Sequence, residues 1–373
     1  MIDRARLVQL RAIEDERFLK IHPKSGELFN QAKKNMPDGV PMSWMSKWPG
    51  AYPVFVEEAK GASFVDVDGN TYVDFCLGDT GSMTGHSPTE TVAAIREQVG
   101  RGLSAMLPTQ DASIVAGELA ERFNLPLWQF TVSATDANRH VIRYARLITG
   151  KSKIIIIDRC YHGSVDESFA TLDKKGNTVS REGNIGAPVD LNLTTRVVAF
   201  NDLSAMEKAL ANDDVAAILM EPAMTNVGIV LPESGYLLAV QGLAKKFGAL
   251  LIIDETHTIS VGPGGMTADL GLTPDFLTIG KAIGGGFPTG AFGMQQHIAD
   301  SIKRLVELEV IDTGGIGGTL AANALSLAAM RATLTKVLTK ENFDRMIKLG
   351  DRWADGVEKV IAKFDLPWTV NRL

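Results

Sequence analysis

The sequence is poor in cysteine, in clusters of basic residues and in long apolar runs, and each absence narrows the range of functions. Cys76 and Cys160 are the only cysteines in 373 residues, which excludes a disulfide framework and a cysteine-based metal cluster. No block of lysine and arginine occurs and the net charge is −6, so we expect neither nucleic acid nor an anionic membrane as a partner. Apolar runs such as Lys153–Asp158 are too short to span a bilayer.

The rest of the composition is typical of a soluble globular protein. Apolar residues make up 45% of the chain and charged residues 22%. A chain of 373 residues is long enough for a large core and two domains. The first 18 residues are charged and periodic rather than arranged as a signal peptide, so with so few cysteines we expect a cytoplasmic protein.

Short apolar runs alternate with amphipathic segments through the middle of the chain. This order predicts an α/β fold in which helices cover a mainly parallel sheet. We predict strands at Gln129–Val132, Lys153–Ile157, Arg196–Phe200, Ala216–Met220, Leu250–Asp254, Phe276–Ile279 and Gly290–Gly293. We predict helices at Pro88–Gly100, Ala112–Phe123, Asp136–Leu147, Leu203–Ala211 and Tyr236–Phe247.

The two ends of the chain have other patterns. Periodic apolar residues predict a helix at Asp3–Ile21, and Ser25 is predicted to cap a second helix. Strands joined by a turn are predicted within Phe55–Phe75. Towards the C-terminus we predict helices at Ala321–Val337 and Lys340–Phe364, then the start of a strand at Trp368–Val370.

Chemistry is concentrated in Leu277–Gly293, whose sequence is LTIGKAIGGGFPTGAFG. An apolar run ends at Gly280, and one lysine, Lys281, follows it at the start of a glycine-rich loop with small side chains. A lysine at the end of a buried strand is typical of a nucleophilic amine that forms a Schiff base. Taken alone, however, the pattern favours a solvated lysine before a glycine-rich turn, because lysines beside turns are common and glycine loops have many uses.

A second apolar run, GALLIIDE at Gly248–Glu255, ends in two carboxylates. Ligands of open α/β sheets lie beyond the carboxyl ends of the strands, so Asp254 is predicted to lie at the site. A carboxylate there can keep the pyridine nitrogen of pyridoxal phosphate (PLP) protonated. Alternatives for Asp254 alone are a strand-end cap and a metal ligand.

These two stretches, together with Glu221–Leu238, resemble the class III, fold type I PLP-dependent aminotransferases. Glu221–Leu238 is similar to the glutamate-1-semialdehyde aminomutase branch, and the resemblance covers about Phe55 to Ala329. It implies a seven-stranded sheet in a large domain at 76–325. A smaller α+β domain would be formed by both chain ends, from the N-terminal segment 1–75 and from 326–373. Family members usually continue further, so we expect the small domain to be incomplete.

The resemblance also implies which residues bind the cofactor. The segment Ser133, Ala134 and Thr135 opens a helix and would bind the phosphate, although relatives usually have glycine at Ala134 and glutamate at Asp136. Plain N-capping by Ser133 or Thr135 is the alternative. The ring would lie between Tyr161 and Thr256, and His257 would line the pocket. His162 is expected to be structural.

The remaining assignments concern the substrate and the second subunit. Glu221 would lie near the cofactor or act only as a strand-end cap, and Asn226 would lie on the substrate side. Thr319 would reach the phosphate of a neighbouring subunit, which implies a homodimer with shared active sites. Trp44 would form a wall of the substrate pocket, or be an exposed loop residue.

The predicted function is an aminotransferase that holds PLP as an internal aldimine on Lys281, which also moves the proton of the substrate. The same residues suit an aminomutase, a racemase or a lyase. The aminomutase branch carries an arginine that grips a carboxylate, but the matching segment Pro37–Trp44 has none. A non-catalytic PLP-fold binding protein is the alternative from another class, and a dinucleotide-dependent dehydrogenase fits the glycine spacings poorly.

Overall fold

The computed structural model describes residues 3–186, 189–305 and 314–373. The chain forms two compact units. The first comprises Met1–Asp79 and Gly85–Pro88, and the second comprises Thr80–Thr84 and Thr89–Leu373. The predicted division at 75 and 325 remains a prediction.

The first unit contains two helices and a small antiparallel sheet. The helices are α1 (Arg4–Ile21) and α2 (Pro23–Ala32), and the strands are β1 (Val56–Lys60), β2 (Ser63–Asp66) and β3 (Thr71–Val73). The predicted cap at Ser25 is wrong, because α2 begins at Pro23. The Ser25 hydroxyl instead donates to Asp68 Oδ2 at 2.8 Å, which ties the helix to the turn between β2 and β3.

The second unit is built around a seven-stranded sheet with the order β4-β12-β11-β10-β9-β5-β8. Its strands are β4 (Leu127–Thr131), β5 (Lys153–Ile157), β8 (Thr195–Val198), β9 (Val215–Met220), β10 (Leu250–Asp254), β11 (Phe276–Gly280) and β12 (Gly290–Met294). Only β12 pairs antiparallel with its neighbours within this sheet. The predicted mainly parallel, seven-stranded sheet is therefore confirmed. A separate hairpin contains β6 (Ala170–Leu172) and β7 (Thr178–Ser180).

Helices cover the sheet, as the alternating pattern predicts. Direct contacts to its strands are made by α4 (Gln110–Phe123), α5 (Ala134–Thr149), α6 (Leu203–Leu210) and α7 (Tyr236–Phe247). The other helices of this unit are α3 (Thr89–Val99), α8 (Gly265–Asp269), α9 (Gln296–Leu305), α10 (Ala324–Ala332) and α11 (Lys340–Lys363). The predicted helix over Ala321–Val337 is shorter, and its last turn is a π-helix at Thr333–Val337. The predicted strand start at Trp368–Val370 is wrong, since these residues belong to no strand.

The core explains why the central strands form where they do. Ile154, Ile155, Ile156 and Ile157 of β5 are almost fully buried, and every residue of β9 is buried. Burial of each such aliphatic side chain contributes about 1.5–3 kcal/mol relative to exposure. Because both faces of these strands are covered, their sequences are continuous apolar runs rather than alternating ones.

The sheet also determines where polar side chains meet. The carboxyl ends of β4, β5, β9, β10 and β11 lie at one edge, because these strands run in the same direction. The antiparallel β12 begins at that edge, where Gly290 pairs with both Thr131 and Gly280. Residues that directly follow the five parallel strands are therefore brought together.

Candidate active site

A cavity of about 350 Å³ opens at this edge of the sheet. That volume falls in the range of small-molecule sites. Nine of the residues predicted to bind a cofactor line it together. The full lining is Gly81, Val132, Ser133, Ala134, Thr135, Tyr161, His162, Gly163, Glu221, Asp254, Thr256, His257, Lys281, Gly286, Phe287, Pro288 and Thr289.

Asp254 ends β10 and is held by three donors. Its Oδ2 accepts hydrogen bonds from His162 Nδ1 and from Asn138 Nδ2, both at 2.9 Å. Its Oδ1 accepts from the Thr256 amide at 3.0 Å. Burial raises the pKa of Asp254, but these bonds and the charge of His162 outweigh it and lower the pKa to about 2. Asp254 is therefore an ionised carboxylate in a site from which water is largely excluded.

The imidazole of His162 carries the positive charge that pairs with this carboxylate. Its side chain is fully buried, and burial by itself lowers the pKa of an imidazole. The neighbouring Cys160 thiol and the Asp254 carboxylate reverse this effect and hold the pKa of His162 well above its ordinary value. The sequence predicts only a structural role for His162, yet the structure makes it a direct partner of Asp254.

Asn138 is a second partner of Asp254 that the sequence does not predict. It lies on the buried face of α5, and its Oδ1 accepts from the Thr278 hydroxyl at 2.7 Å. Its Nδ2 also donates to the His162 carbonyl at 3.2 Å. Asn138 thus connects α5, β11 and the segment after β5 around Asp254. A buried asparagine one turn after a helix start is a weak sequence signal, because its partners are distant in the chain.

Lys281 follows the last residue of β11 and has a left-handed backbone, with φ of 49°. Its Nζ lies 2.6 Å from Nε2 of His257. Nδ1 of the same imidazole lies 2.8 Å from the Thr80 hydroxyl oxygen. A non-glycine residue in this region is uncommon and is found where the surrounding structure requires it. The strand end therefore directs the amine to the cavity.

The first turn of α5 forms another part of the cavity wall. Ser133 caps the helix, because its hydroxyl accepts from the Asp136 amide at 3.2 Å and donates to the Asp136 carboxylate at 3.0 Å. Ala134 starts the helix without a positive φ, so its side chain is tolerated there. The cap and an anion can share this helix end, because several amide groups of the first turn have no partner within the helix.

Glycines allow this helix end to approach the sheet closely. A Cβ at Gly290 would lie 2.4 Å from the Ser133 carbonyl, and one at Gly280 would lie 3.0 Å from the Ala134 Cβ. A Cβ at Gly163, whose φ is 75°, would lie 2.0 Å from the Thr135 hydroxyl oxygen. These glycines are therefore required by packing around the cavity.

Glu221 directly follows β9 and is 4% exposed. Burial raises its pKa to about 7, although His162 and the Thr225 hydroxyl act in the opposite direction. Thr225 donates to Oε2. Near neutral pH this carboxyl group can therefore hold or release a proton inside the cavity.

Several buried polar atoms of the cavity wall find no hydrogen-bond partner among the described residues. They are His162 Nε2, Glu221 Oε1, Thr256 Oγ1 and Thr289 Oγ1. Buried polar groups are normally hydrogen-bonded, so a cluster of exceptions in one cavity indicates a polar ligand. Thr289 was not predicted, and a threonine beside a glycine-rich loop gives no distinctive signal.

Three predicted residues lie elsewhere. Thr319 and Asn226 are exposed, and neither lines the cavity formed by the described residues of this unit. Trp44 belongs to the first unit and is 68% exposed. Their assignment to a second subunit or to the substrate remains a prediction.

Within residues 3–186, 189–305 and 314–373, no group of three or more histidine, cysteine or carboxylate side chains is arranged to hold a metal ion. Across the same ranges, no helix combines the length and the apolar character needed to cross a membrane.

Comparison with known proteins places the chain in a family. Residues 44–371 match the family Aminotransferase class-III. A glutamate-1-semialdehyde 2,1-aminomutase of Anaeromyxobacter dehalogenans is 34% identical over 356 residues, which cover 94% of this chain and 81% of the relative.

Solved structures agree with this match. A glutamate-1-semialdehyde-aminomutase from Pseudomonas aeruginosa PAO1 is 45% identical with a TM-score of 0.97, covering 100% of this chain and 83% of that one. A lysine-to-alanine variant of it was solved in complex with PMP. An omega-transaminase from Sphaerobacter thermophilus is 31% identical with a TM-score of 0.84, covering 93% of this chain and 80% of that one. This chain therefore belongs to the class III aminotransferases, which are PLP-dependent enzymes of fold type I.

Proposed function

We propose that this protein is a PLP-dependent aminotransferase that moves an amino group between an amine or amino acid and a keto acid, ketone or aldehyde. One observation carries the proposal. The Lys281 amine and the buried Asp254–His162 pair line the same cavity, at the N-terminus of α5. A nucleophilic amine, a fixed carboxylate and an anion-binding helix end are the three groups that PLP requires.

The residues of the cavity fit each part of PLP. The amides at Ser133, Ala134 and Thr135 would bind the phosphate. Tyr161 and Thr256 would pack on the two faces of the ring, and the atoms without partners would receive its polar substituents. Glu221 and His257 would complete the polar wall.

When bound, PLP supplies an electron-withdrawing ring that stabilises negative charge on the substrate carbon beside the amino nitrogen. Asp254, whose pKa is lowered to about 2, would hold a proton on the ring nitrogen. Lys281 would hold the cofactor and, as a free amine, would take the proton from that substrate carbon and return it. Glu221 and Thr289, both 4% exposed, would form buried parts of the wall around this proton transfer.

The same proposal includes a homodimer with shared active sites in the cytoplasm. Thr319 is exposed and lies beside the loop Gly314–Gly318, which suits contact with a phosphate bound by another subunit. Both cysteines are free, Cys160 buried and Cys76 exposed, as suits a reducing compartment.

A second candidate is an aminomutase, which moves the amino group within one molecule. The names of the similar proteins favour it. The absence of arginine from Pro37–Trp44 argues against the carboxylate grip of that branch.

The decisive experiment separates transfer from rearrangement. The PLP-loaded protein is given a panel of ¹⁵N-labelled amines and amino acids, each with and without a keto acceptor. An aminotransferase yields a labelled amine of the acceptor and an equal amount of ketone or aldehyde from the donor. Glutamate-1-semialdehyde belongs to the panel, and an aminomutase converts it to a positional isomer without an acceptor. Racemised or cleaved donor would identify the other reaction types, and no product with retained PLP would identify a binding protein.

Lys281 is tested in the same preparation. Reduction with borohydride, digestion and mass spectrometry should place the pyridoxyl group on Lys281, and Lys281→Ala should abolish turnover without unfolding. Label on another lysine would contradict the assignment.

A further inference from the structure

The side chains of Lys281, His257 and Thr80 form a continuous chain of hydrogen bonds within the second unit. The 2.6 Å contact from Lys281 Nζ to His257 Nε2 is short for a bond between two nitrogens. Thr80 contacts the other ring nitrogen of His257 at 2.8 Å. Both nitrogens of the imidazole are therefore engaged, and the ring orientation is fixed.

The chemistry of these groups determines which protons they can exchange. When Lys281 is an ammonium it only donates, so Nε2 of His257 must accept and the ring proton lies on Nδ1. The hydroxyl of Thr80 then accepts from Nδ1–H. If the proton moves to Nε2, the imidazolium donates to the neutral amine and still donates to Thr80. The same heavy-atom positions therefore serve both proton states.

We propose that His257 is a positioning residue that holds Nζ of Lys281 and takes up its proton, so that a neutral amine is presented to the aldehyde carbon of PLP. The proton leaves Nζ for Nε2, which gives an amine and an imidazolium, and the reverse transfer restores both groups. No oxidant or reductant takes part. Because the Thr80 hydroxyl can accept from Nδ1–H in both proton states, Nε2 is the exchanging nitrogen. The proposal rests on the proposed function, because it assigns the cofactor to Lys281.

The cavity is lined by four titratable side chains besides Lys281 and His257. They are Tyr161, His162, Glu221 and Asp254. His162 and Asp254 are bonded to each other, and Glu221 accepts from Thr225. His257 is thus the cavity-lining imidazole that contacts the Lys281 amine in the described structure.

The test measures attachment of PLP rather than turnover. The full chain, stripped of cofactor, is mixed with PLP between pH 6 and pH 9 and quenched with borohydride at successive times. Mass spectrometry of the Lys281 peptide gives the attachment rate. Wild type is compared with His257→Leu, His257→Gln and Thr80→Val. The controls are His297→Leu, since His297 is an exposed partner of Asp275, and Thr149→Val, since Thr149 bonds only within and beside α5.

We expect His257→Leu to slow attachment at neutral pH by about tenfold or more, and the deficit to shrink towards pH 9 as solvent base replaces the imidazole. His257→Gln should be as slow, because an amide keeps the contact but takes up no proton. Thr80→Val should be slowed severalfold, and the controls should match wild type.

Each result decides the proposal. Wild-type rates in His257→Leu and Thr80→Val would overturn it, and a wild-type rate in His257→Gln would overturn the proton uptake. If the histidine variants fail to fold, as judged by circular dichroism, Thr80→Val decides alone. A pyridoxyl label that reaches Lys281 of these variants at the wild-type rate would refute only this inference. A label on another lysine would refute the proposed function.

Discussion

Nδ1 of His162 lies 2.9 Å from Oδ2 of Asp254, and both side chains are buried in the wall of one cavity. The two groups hold opposite charges, since the pKa of Asp254 is lowered to about 2 and that of His162 is raised well above its ordinary value. A buried pair of this kind costs desolvation energy, so it is weak evidence for stability by itself. Its position at the end of β10 instead suits a role in fixing a charged carboxylate beside a cofactor.

The first prediction tests this carboxylate. Asp254→Asn should retain PLP but lower kcat by about 100-fold or more, because an amide cannot hold the ring proton as an ion pair. The measurements are kcat and the cofactor absorbance of the purified variant. Asp275→Asn is the control, because Asp275 pairs with His297 at the opposite end of β11. A near wild-type kcat in Asp254→Asn would mean that the carboxylate only caps its strand.

The second prediction concerns Glu221, whose pKa is raised from 4.5 to about 7 by burial. A carboxyl group with a higher pKa in the folded state binds its proton more tightly there. The protonated Glu221 side chain therefore contributes stability that is fully present below pH 4.5 and is lost as the pH rises through about 7. Relative to Glu221→Gln, cofactor-free wild type should lose about 3 kcal/mol of unfolding free energy over this range.

Urea unfolding at pH 4.5, 6, 7 and 8 measures this difference. Glu207→Gln is the matched control, since Glu207 is an exposed partner of Lys246. Its curve should run parallel to that of wild type. Parallel curves for wild type and Glu221→Gln would show that Glu221 has an ordinary pKa in the folded protein.

The sheet was predictable because its signal is local. Lys153–Ile157 and Leu250–Asp254 have the bounds that the sequence predicts, since a strand buried on both faces is an apolar run with polar ends. Trp368–Val370 has a similar local pattern without a strand partner, which the sequence alone does not reveal. The start of α2 was missed because Pro23 sets it, while Ser25 bonds to Asp68 from 43 residues away.

The site was predictable only in part. Lys281 and Asp254 end apolar strands, so parallel topology brings both to one cavity. His162, Asn138 and Thr80 depend instead on contacts between 24 and 177 residues apart in the chain, and no local pattern reports such pairs. The position of His162 directly after Tyr161 was the available clue, because consecutive residues after a strand end often belong to the same site.

The third prediction tests the close approach of α5 to the loop after β5. Gly163→Ala adds a Cβ that would meet the Thr135 hydroxyl oxygen at 2.0 Å, and it places alanine at a φ of 75°. Gly176→Ala is matched in backbone, with φ of 80°, but meets nothing within 4 Å. Both should lose about 1–2 kcal/mol to backbone strain. The clash should destabilise Gly163→Ala by about 1–3 kcal/mol more.

Gly163→Ala should also release PLP more readily, because Thr135 belongs to the helix end proposed to bind the phosphate. Urea unfolding and equilibrium dialysis of PLP measure the two effects. Equal losses of stability in both variants, with unchanged PLP affinity, would show that the contact between Gly163 and Thr135 is not required.

The last prediction concerns assembly. Thr319 is exposed, and Thr319→Val removes a hydroxyl while keeping the shape of the side chain. If that hydroxyl binds a phosphate held by α5 of another subunit, bound PLP contacts both subunits through charge-assisted hydrogen bonds. A ligand bound only by the assembled state favours assembly by mass action, so removing PLP should raise the dimer dissociation constant.

Thr319→Val should retain PLP less well and dissociate at higher concentration. The control Thr335→Val, whose hydroxyl bonds to the Arg331 carbonyl within its own helix, should behave as wild type. Analytical ultracentrifugation over a dilution series measures the dimer dissociation constant of the PLP-loaded protein and that of the PLP-free protein. A loaded protein that stays monomeric and fully active would rule out the shared site.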